Sequence, residues 1–217
     1  MNGETTDLVW EATLDTLTMV GVAMLITVPV GLLLGVLLLL TDRGQPLAQP
    51  VVNRLLAFVV NVGRSIPFII LLVAIIPFTR AVVGTTIGTT AAIVPLAVAT
   101  IPFFARIVET ALREVPVGLV EAALAAGASR RQVVTKVLIP EAVAPLVSGV
   151  TITTIGVIGY SAMAGAVGGG GLGDVAIRYG YQRYETDVTV AVVVVLVVVV
   201  QLLQFVGDRL SRRLSHQ

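Results

Sequence analysis

The sequence predicts an all-α polytopic membrane protein with five transmembrane helices and one cytoplasmic helix–turn–helix loop. Composition is the first reason. Of 217 residues, 56% are hydrophobic and only 12% are charged. That is about half the charge of an ordinary soluble domain, so the chain cannot cover itself with polar surface and needs lipid as its solvent. Charge clustering is the second reason. Residues 17–40, 81–105, 142–173 and 188–207 carry no Asp, Glu, Lys or Arg. Each window supplies the roughly 20 apolar residues that cross a hydrocarbon core. Lipid offers no partner to a free backbone group, which selects helices over an open sheet.

The expected spans are about 14–41, 58–79, 87–110, 143–167 and 186–208. In the first, Gly31 and Gly35 form a GxxxG pair, read evenly between close helix packing and chance. The second has a charge-free stretch of only fifteen residues, Ser65 to Thr79, and becomes a full span if Arg64 or Arg80 snorkels to an interface. In the fourth, Gly149, Gly156, Gly159, Ala162 and Gly165 permit close neighbours, while Ser148, Thr151, Thr153, Thr154, Tyr160 and Ser161 add hydroxyls. Packing or a polar path both fit that face. In the fifth, the β-branched run Val192 to Val200 reads as helix because of its charge-free length. The glycine run 168–171 lacks the strand and the GK[ST] ending of a phosphate loop. It is expected as a flexible turn or as a region meeting an external protein. Glu109 and Glu141 are expected at solvated span ends.

Between the third and fourth spans lies a polar, basic insert, about 111–140. Pro116 suits a first helical turn. Residues 117–126 are rich in alanine and leucine, both strong helix formers. Gly127 stands where a helix ends in the left-handed region. Ser129 and Gln132 make a capping-box pattern for a second helix. That helix carries Val133, Val134, Val137 and Leu138 as an apolar stripe and leaves Arg130, Arg131 and Lys136 for water or an acidic partner. Pro140 is expected to end it. Ala122, Ala123, Ala125 and Ala126 give a low-relief surface with Glu121 as an anionic handle.

Basic residues in short loops mark the cytoplasmic side. Eleven of the fourteen fall on one side of the five spans; only Arg80, Arg178 and Arg183 fall on the other, with the acidic N-terminus. The expected topology is N-terminus outside, C-terminus and insert inside. A cleaved signal peptide is not expected, because the first fifteen residues hold four acidic residues and no basic one. The chain has no cysteine, which rules out disulfides and thiolate metal sites. His216, the single histidine, is expected in a solvated tail. No catalytic or metal-ligating constellation stands out.

Glu121-Ala122-Ala123, Gly127 four positions on, and Pro140 closing Val137-Leu138-Ile139 resemble the EAA loop of ABC importer permeases. The stretches from Asn61, Ile101 and Gly159, and QFVGDRL from Gln204, are similar to the methionine branch of that family. Valine stands where the loop pattern prefers isoleucine. The resemblance implies a type I ABC importer permease fold in a bacterial inner membrane, and no catalysis by this chain. It implies a coupling role for Glu121, Ala122, Ala123, Gly127, Ser129 and Pro140, and a translocation path near Tyr160, Ser161 and Met163. The implied partners are a second copy, two ATP-binding subunits that hold ATP and Mg, an external methionine-binding protein and lipid, with no nucleic acid. No P-loop is present, so ATP is expected on a separate subunit. Alternatives are a permease for another amino acid or small peptide, or an ion-coupled secondary transporter. The lack of repeats and of buried charge weighs against the last.

Overall fold

A computed structural model describes residues 3–45 and 48–215, and all regular structure among them is helical. His216 lies outside the described residues. The elements are α1 (Gly3–Leu40), α2 (Pro50–Ser65), α3 (Phe68–Ala74), α4 (Ile76–Val83), α5 (Thr89–Arg113), α6 (Val117–Ala125), α7 (Arg130–Val133), α8 (Ile139–Glu141), α9 (Val143–Ala164), α10 (Gly171–Val175) and α11 (Thr186–Leu214). Wide π-helical turns occupy Val134–Leu138, Gly165–Gly169 and Ala176–Tyr181. Among the described residues, four helices are long and apolar enough to cross a membrane, or five if the broken pair α2 and α3 counts as one span.

The expected spans fall on helices, with three differences. First, α1 starts about ten residues early and takes in Glu4, Asp7 and Glu11; acidic side chains near a helix N-terminus are favoured by its dipole. Of these only Glu4 stands in the first turn, where that effect acts. Second, α11 runs on to Leu214 and holds Arg212 and Arg213 in its last turn, where the dipole favours cations. Third, the stretch 58–79 is not one helix. The chain leaves helix after Ser65, and Pro67 has ψ 135°. A proline both lacks the donor for the ladder and pushes the residue before it out of the α region. The valine run of α11 is helical, as expected from its length.

The chain divides into two compact units. The first holds residues 1–27, 66–100 and 153–204. Its core joins Val9 and Ala12 of α1 to Leu172 and Val175 of α10 and to Val188 and Val192 of α11. The glycine run is the surprise of this unit. It is a packed hairpin rather than a flexible turn. Gly168, Gly170 and Gly171 have φ of 89°, 80° and 73°, a region L side chains avoid. Gly88 N–H donates to Gly168 O at 2.8 Å, and Leu172 N–H donates to Thr16 Oγ1 at 2.9 Å. A Cβ on Gly165 would lie 2.5 Å from the Asp174 backbone nitrogen. Backbone proximity of this kind needs glycine, and composition alone had read it as looseness.

The second unit holds residues 28–65, 101–152 and 205–217. Its core gathers Leu39, Phe104, Val108, Leu112, Val133 and Leu138. Small residues let helices approach α5. A Cβ on Gly35 would lie 2.6 Å from Ala105 O and from Val108 Cβ, and one on Gly31 2.7 Å from the Phe104 ring. From α9, Gly149 comes as close to Ile107, 2.5 Å by the same measure. The GxxxG pair is therefore a packing motif. Polar ties add to it. Asn53 of α2 donates its amide to Leu38 O at 2.7 Å and to Thr41 Oγ1 at 3.1 Å. Ser148 of α9 donates to Ser211 Oγ of α11 at 2.9 Å, and Ser211 donates to Ala144 O at 3.0 Å.

Glu109 departs from its expected place at a solvated end. It is buried, with 4% of its surface exposed, and lies between two arginines of its own helix. Arg106 Nη1 reaches its Oε2 at 2.5 Å, and Arg113 Nη2 reaches its Oε1 at 2.8 Å. Arg113 Nη2 also meets Asp42 Oδ2 at 2.6 Å. The Arg113 hydrogen bond, and then the Arg43 backbone N–H, hold the Asp42 carboxyl below the usual carboxylate range. A carboxyl lowered on folding stabilises above its ordinary pKa of about 3.9, and the gain fades as pH falls through the lower folded value. The tie is therefore fully formed at neutral pH.

Gly35→Leu is expected to lower the melting temperature of the detergent-purified protein, because Ala105 O cannot yield to a side chain; overpacking of this sort costs about 1–3 kcal/mol. Gly118→Ala, whose methyl meets nothing within 4 Å, is expected to melt no lower than the wild type.

Candidate functional site

The insert is built as its local signals require. Pro116, with φ −57° and ψ 125°, caps α6 from just outside rather than sitting in its first turn. At the far end Gly127 takes φ 84°. Its N–H donates to Leu124 O, and the Ala128 N–H donates to Ala123 O, both at 3.0 Å. That double closure is a Schellman motif, and it satisfies carbonyls the helix end would leave open. Ser129 then opens α7 with a complete capping box. Gln132 N–H donates to Ser129 Oγ at 3.3 Å, and Ser129 N–H donates to Gln132 Oε1 at 2.7 Å.

Pro140 does not end this second helix. The chain stays helical through Glu141 and, after a turn at Ala142, continues as α9. The π turn before it explains how. Ile139 N–H donates five residues back, to Val134 O. The wider turn makes room for a ring that a regular α-turn would exclude.

Of the apolar stripe of the second helix, Val133 and Leu138 are buried, at 0% and 5% exposure, and Val134 and Val137 are half-buried. Val120, Ala123 and Ala128 pack on that cluster. The rest of α6 is left uncovered. Glu121, Ala122, Gly127, Ser129 and Pro140 are exposed, and Ala123 alone of the six coupling candidates is half-buried. Val117 is 66% exposed, and Leu119 and Leu124 are each 41% exposed. These apolar side chains are thus grouped on one uncovered helix. Beside it lies a cleft of about 680 Å³, lined by Leu39, Gln45, Arg113, Val117, Glu121 and Arg130. Leu39, at the end of α1, and Gln45, in the turn after it, lie some eighty residues away in sequence, so no local signal could have placed them there.

The path candidates on α9 separate. Tyr160 is half-buried, and its ring stacks on Phe68 with centroids 4.7 Å apart and planes 9° apart. Ser161 is turned inward, 1% exposed, and donates to Ile158 O at 2.8 Å. Met163 is 41% exposed. It shares its open face with Gly156, Gly159 and Val167, which recur at three- and four-residue spacing. A Cβ on Gly156 or Gly159 would meet nothing within 4 Å. The two glycines carry as much of that face as Met163, and composition alone could not separate them from packing glycines such as Gly149. Several hydroxyls of this helix bond within the protein, among them those of Ser148, Thr151 and Ser161.

Comparison with known proteins agrees with this architecture. Residues 28–216 match the family described as binding-protein-dependent transport system inner membrane component. The chain is 53% identical over 211 residues to the probable D-methionine transport system permease protein MetI of Vibrio cholerae, covering 97% of this chain and 94% of the relative. It is 45% identical over 175 residues to the methionine import system permease protein MetP of Bacillus subtilis, covering 81% and 79%. A solved structure of the inward-facing MetNI methionine ABC transporter aligns with TM-score 0.97 at 50% identity over 99% of both chains. A crystal structure of an amino acid ABC transporter, 20% identical with TM-score 0.78, shares the fold. The resemblance first carried by the EAA loop thus extends over nearly the whole chain, which belongs to the binding-protein-dependent transport system inner membrane components, the permeases of ABC importers.

Proposed function

We propose that this chain is the membrane-spanning permease subunit of an ATP-driven methionine importer. One observation carries the coupling half of the reading: α6 is closed by the Schellman bonds at Gly127 and followed directly by the capping box of α7, yet leaves Val117, Leu119, Glu121 and Leu124 uncovered. Its near-identity in fold to a methionine ABC transporter chain supports the substrate.

In this reading the chain is one transmembrane permease domain, and the loop 111–140 is its coupling foot. Two copies form the path about a two-fold axis. The broken pair α2 and α3 serves as the second of five spans. The N-terminus is outside and the C-terminus in the cytoplasm, as the basic residues indicate. The chain itself is no enzyme. Two cytoplasmic subunits bind ATP and Mg, close on ATP, and each draws one foot with it. Glu121, Ala122 and the exposed edge of α6 make the contact; Gly127, Ser129 and Pro140 set its geometry. The spans then turn from inward-open to outward-open, and an external methionine-binding protein releases substrate into the path. Met163 lines that path with Gly156 and Gly159, Tyr160 flanks it, and Ser161 supports the helix behind it.

Co-purification with the ATP-binding subunit tests the reading directly. Methionine and its binding protein are expected to stimulate ATP hydrolysis by the complex; stimulation by another amino acid alone reassigns the substrate, and uptake without ATP points to an ion-coupled carrier. Glu121→Lys and Gly127→Asp are expected to leave folded dimer in the membrane while the amount of ATPase that co-purifies falls. Full retention of the ATPase by both variants speaks against the docking role. Gly159→Trp is expected to keep the melting temperature of the chain and to abolish methionine uptake by the reconstituted complex.

A further inference from the structure

The buried carboxylate of Glu109 takes no part in the surfaces above. Its spacing to Arg106 and Arg113 puts all three side chains on one face of α5. Each arginine also has a partner beyond that helix. Arg106 Nη2 donates to Asn61 Oδ1 of α2 at 2.7 Å. Arg113 Nη2 donates to Asp42 Oδ2, two residues past α1, at 2.6 Å. One buried anion therefore holds two cations, and these hold α2 and the end of α1. With Asp42 included, the cluster has two positive and two negative groups, so it carries no net charge.

Arg113 is the last residue of α5, and Pro116, three residues on, caps α6. Its side chain also lines the cleft beside Glu121. It donates through Nε at 3.1 Å and Nη2 at 2.8 Å to the same Glu109 oxygen. A guanidinium held that way is aimed, because its fork is planar and rigid. The Asp42 end is about one-third exposed, at 31%, and a pair so exposed adds little to stability. What it supplies is a short noncovalent route from the root of the foot to the end of α1.

We propose that Glu109 is a positioning residue, and that Glu109, Arg113 and Asp42 form a strut that passes displacement of α6 to α1. The inference rests on the importer reading given above. Glu109 fixes the direction of Arg113, Arg113 bears on Asp42, and Asp42 moves the end of α1. The elements act in series, so removing either carboxylate breaks the same connection.

The test is the number of methionine molecules moved per ATP hydrolysed, measured in proteoliposomes with the complete complex and its binding protein. That ratio does not depend on how much active complex is present, so a purely structural role leaves it unmoved. Asp42→Ala and Glu109→Gln are each expected to lower it about fivefold or more, the lower edge of typical coupling between sites, while ATP hydrolysis continues. The double variant is expected to be no worse than the worse single one. Arg113→Lys, which keeps the charge and loses the fork, is expected to fall between. If Glu109→Gln does not assemble, Asp42→Ala and Arg113→Lys decide. An unchanged ratio in Asp42→Ala overturns the strut, as do losses that multiply in the double variant. A wild-type complex whose ATP hydrolysis ignores methionine overturns the importer reading, and the strut with it.

Discussion

Lipid withholds from these helices the force that folds soluble proteins, since hydrocarbon tails are as apolar as leucine. Helices in such a solvent stay together by close backbone approach and by polar groups that find partners only in one another. The second unit shows both devices on one helix. Along α5, Phe104, Ala105, Ile107 and Val108 receive the bare backbones of Gly31, Gly35 and Gly149. One turn further on, Glu109 sits between Arg106 and Arg113. Burying a carboxylate is costly unless it is paired and hydrogen-bonded, and here two guanidinium groups meet that need.

The foot shows the opposite economy. Of its two short helices the first has no buried residue and the second buries Val133, and helices this short do not persist alone in water. They are held by termini: a Schellman closure at Gly127, a capping box at Ser129, and a small apolar contact through Val120, Ala123 and Ala128. Local backbone chemistry thus fixes the shape and leaves the side-chain surface of α6 free. A surface meant for a partner gains from that division, because what holds its form is not what meets the partner.

Much of this was legible in the sequence, and the exceptions are of two kinds, tertiary and local. Charge-free length located the long apolar helices, including the valine run of α11. Gly127 and Ser129 announced their own geometry because caps and left-handed turns depend on neighbours within a few residues. Two of the failures involved residues distant in the chain or packing that no local signal reports, whereas Pro67, Pro140 and Ser161 departed for local reasons. The glycine run read as slack because Thr16, Gly88 and Asp174, which crowd it, lie far from it in sequence or act through backbone atoms. Glu109 read as solvated because a one-dimensional view does not show that α5 is covered there. The spacing of Arg106, Glu109 and Arg113 was the available clue. Ser161 pointed inward although its neighbours Tyr160 and Ala162 are half-buried and Met163 is exposed. Pro67 could have been read as a break, since its local effect on a helix is general.

The wide turn at Val134–Leu138 sets the angular phase between the foot and the start of α9. An α-helix advances about 100° per residue, and a π turn is equivalent to one residue slipped into that winding. Wound as regular α-helix at the same length, the segment would swing everything upstream, Glu121 included, by roughly a quarter of a revolution. The foot's facing is thus stored in the width of the turn between Val133 and Ile139, and regularising that turn without removing a residue would misdirect the contact surface while leaving each of its side chains intact.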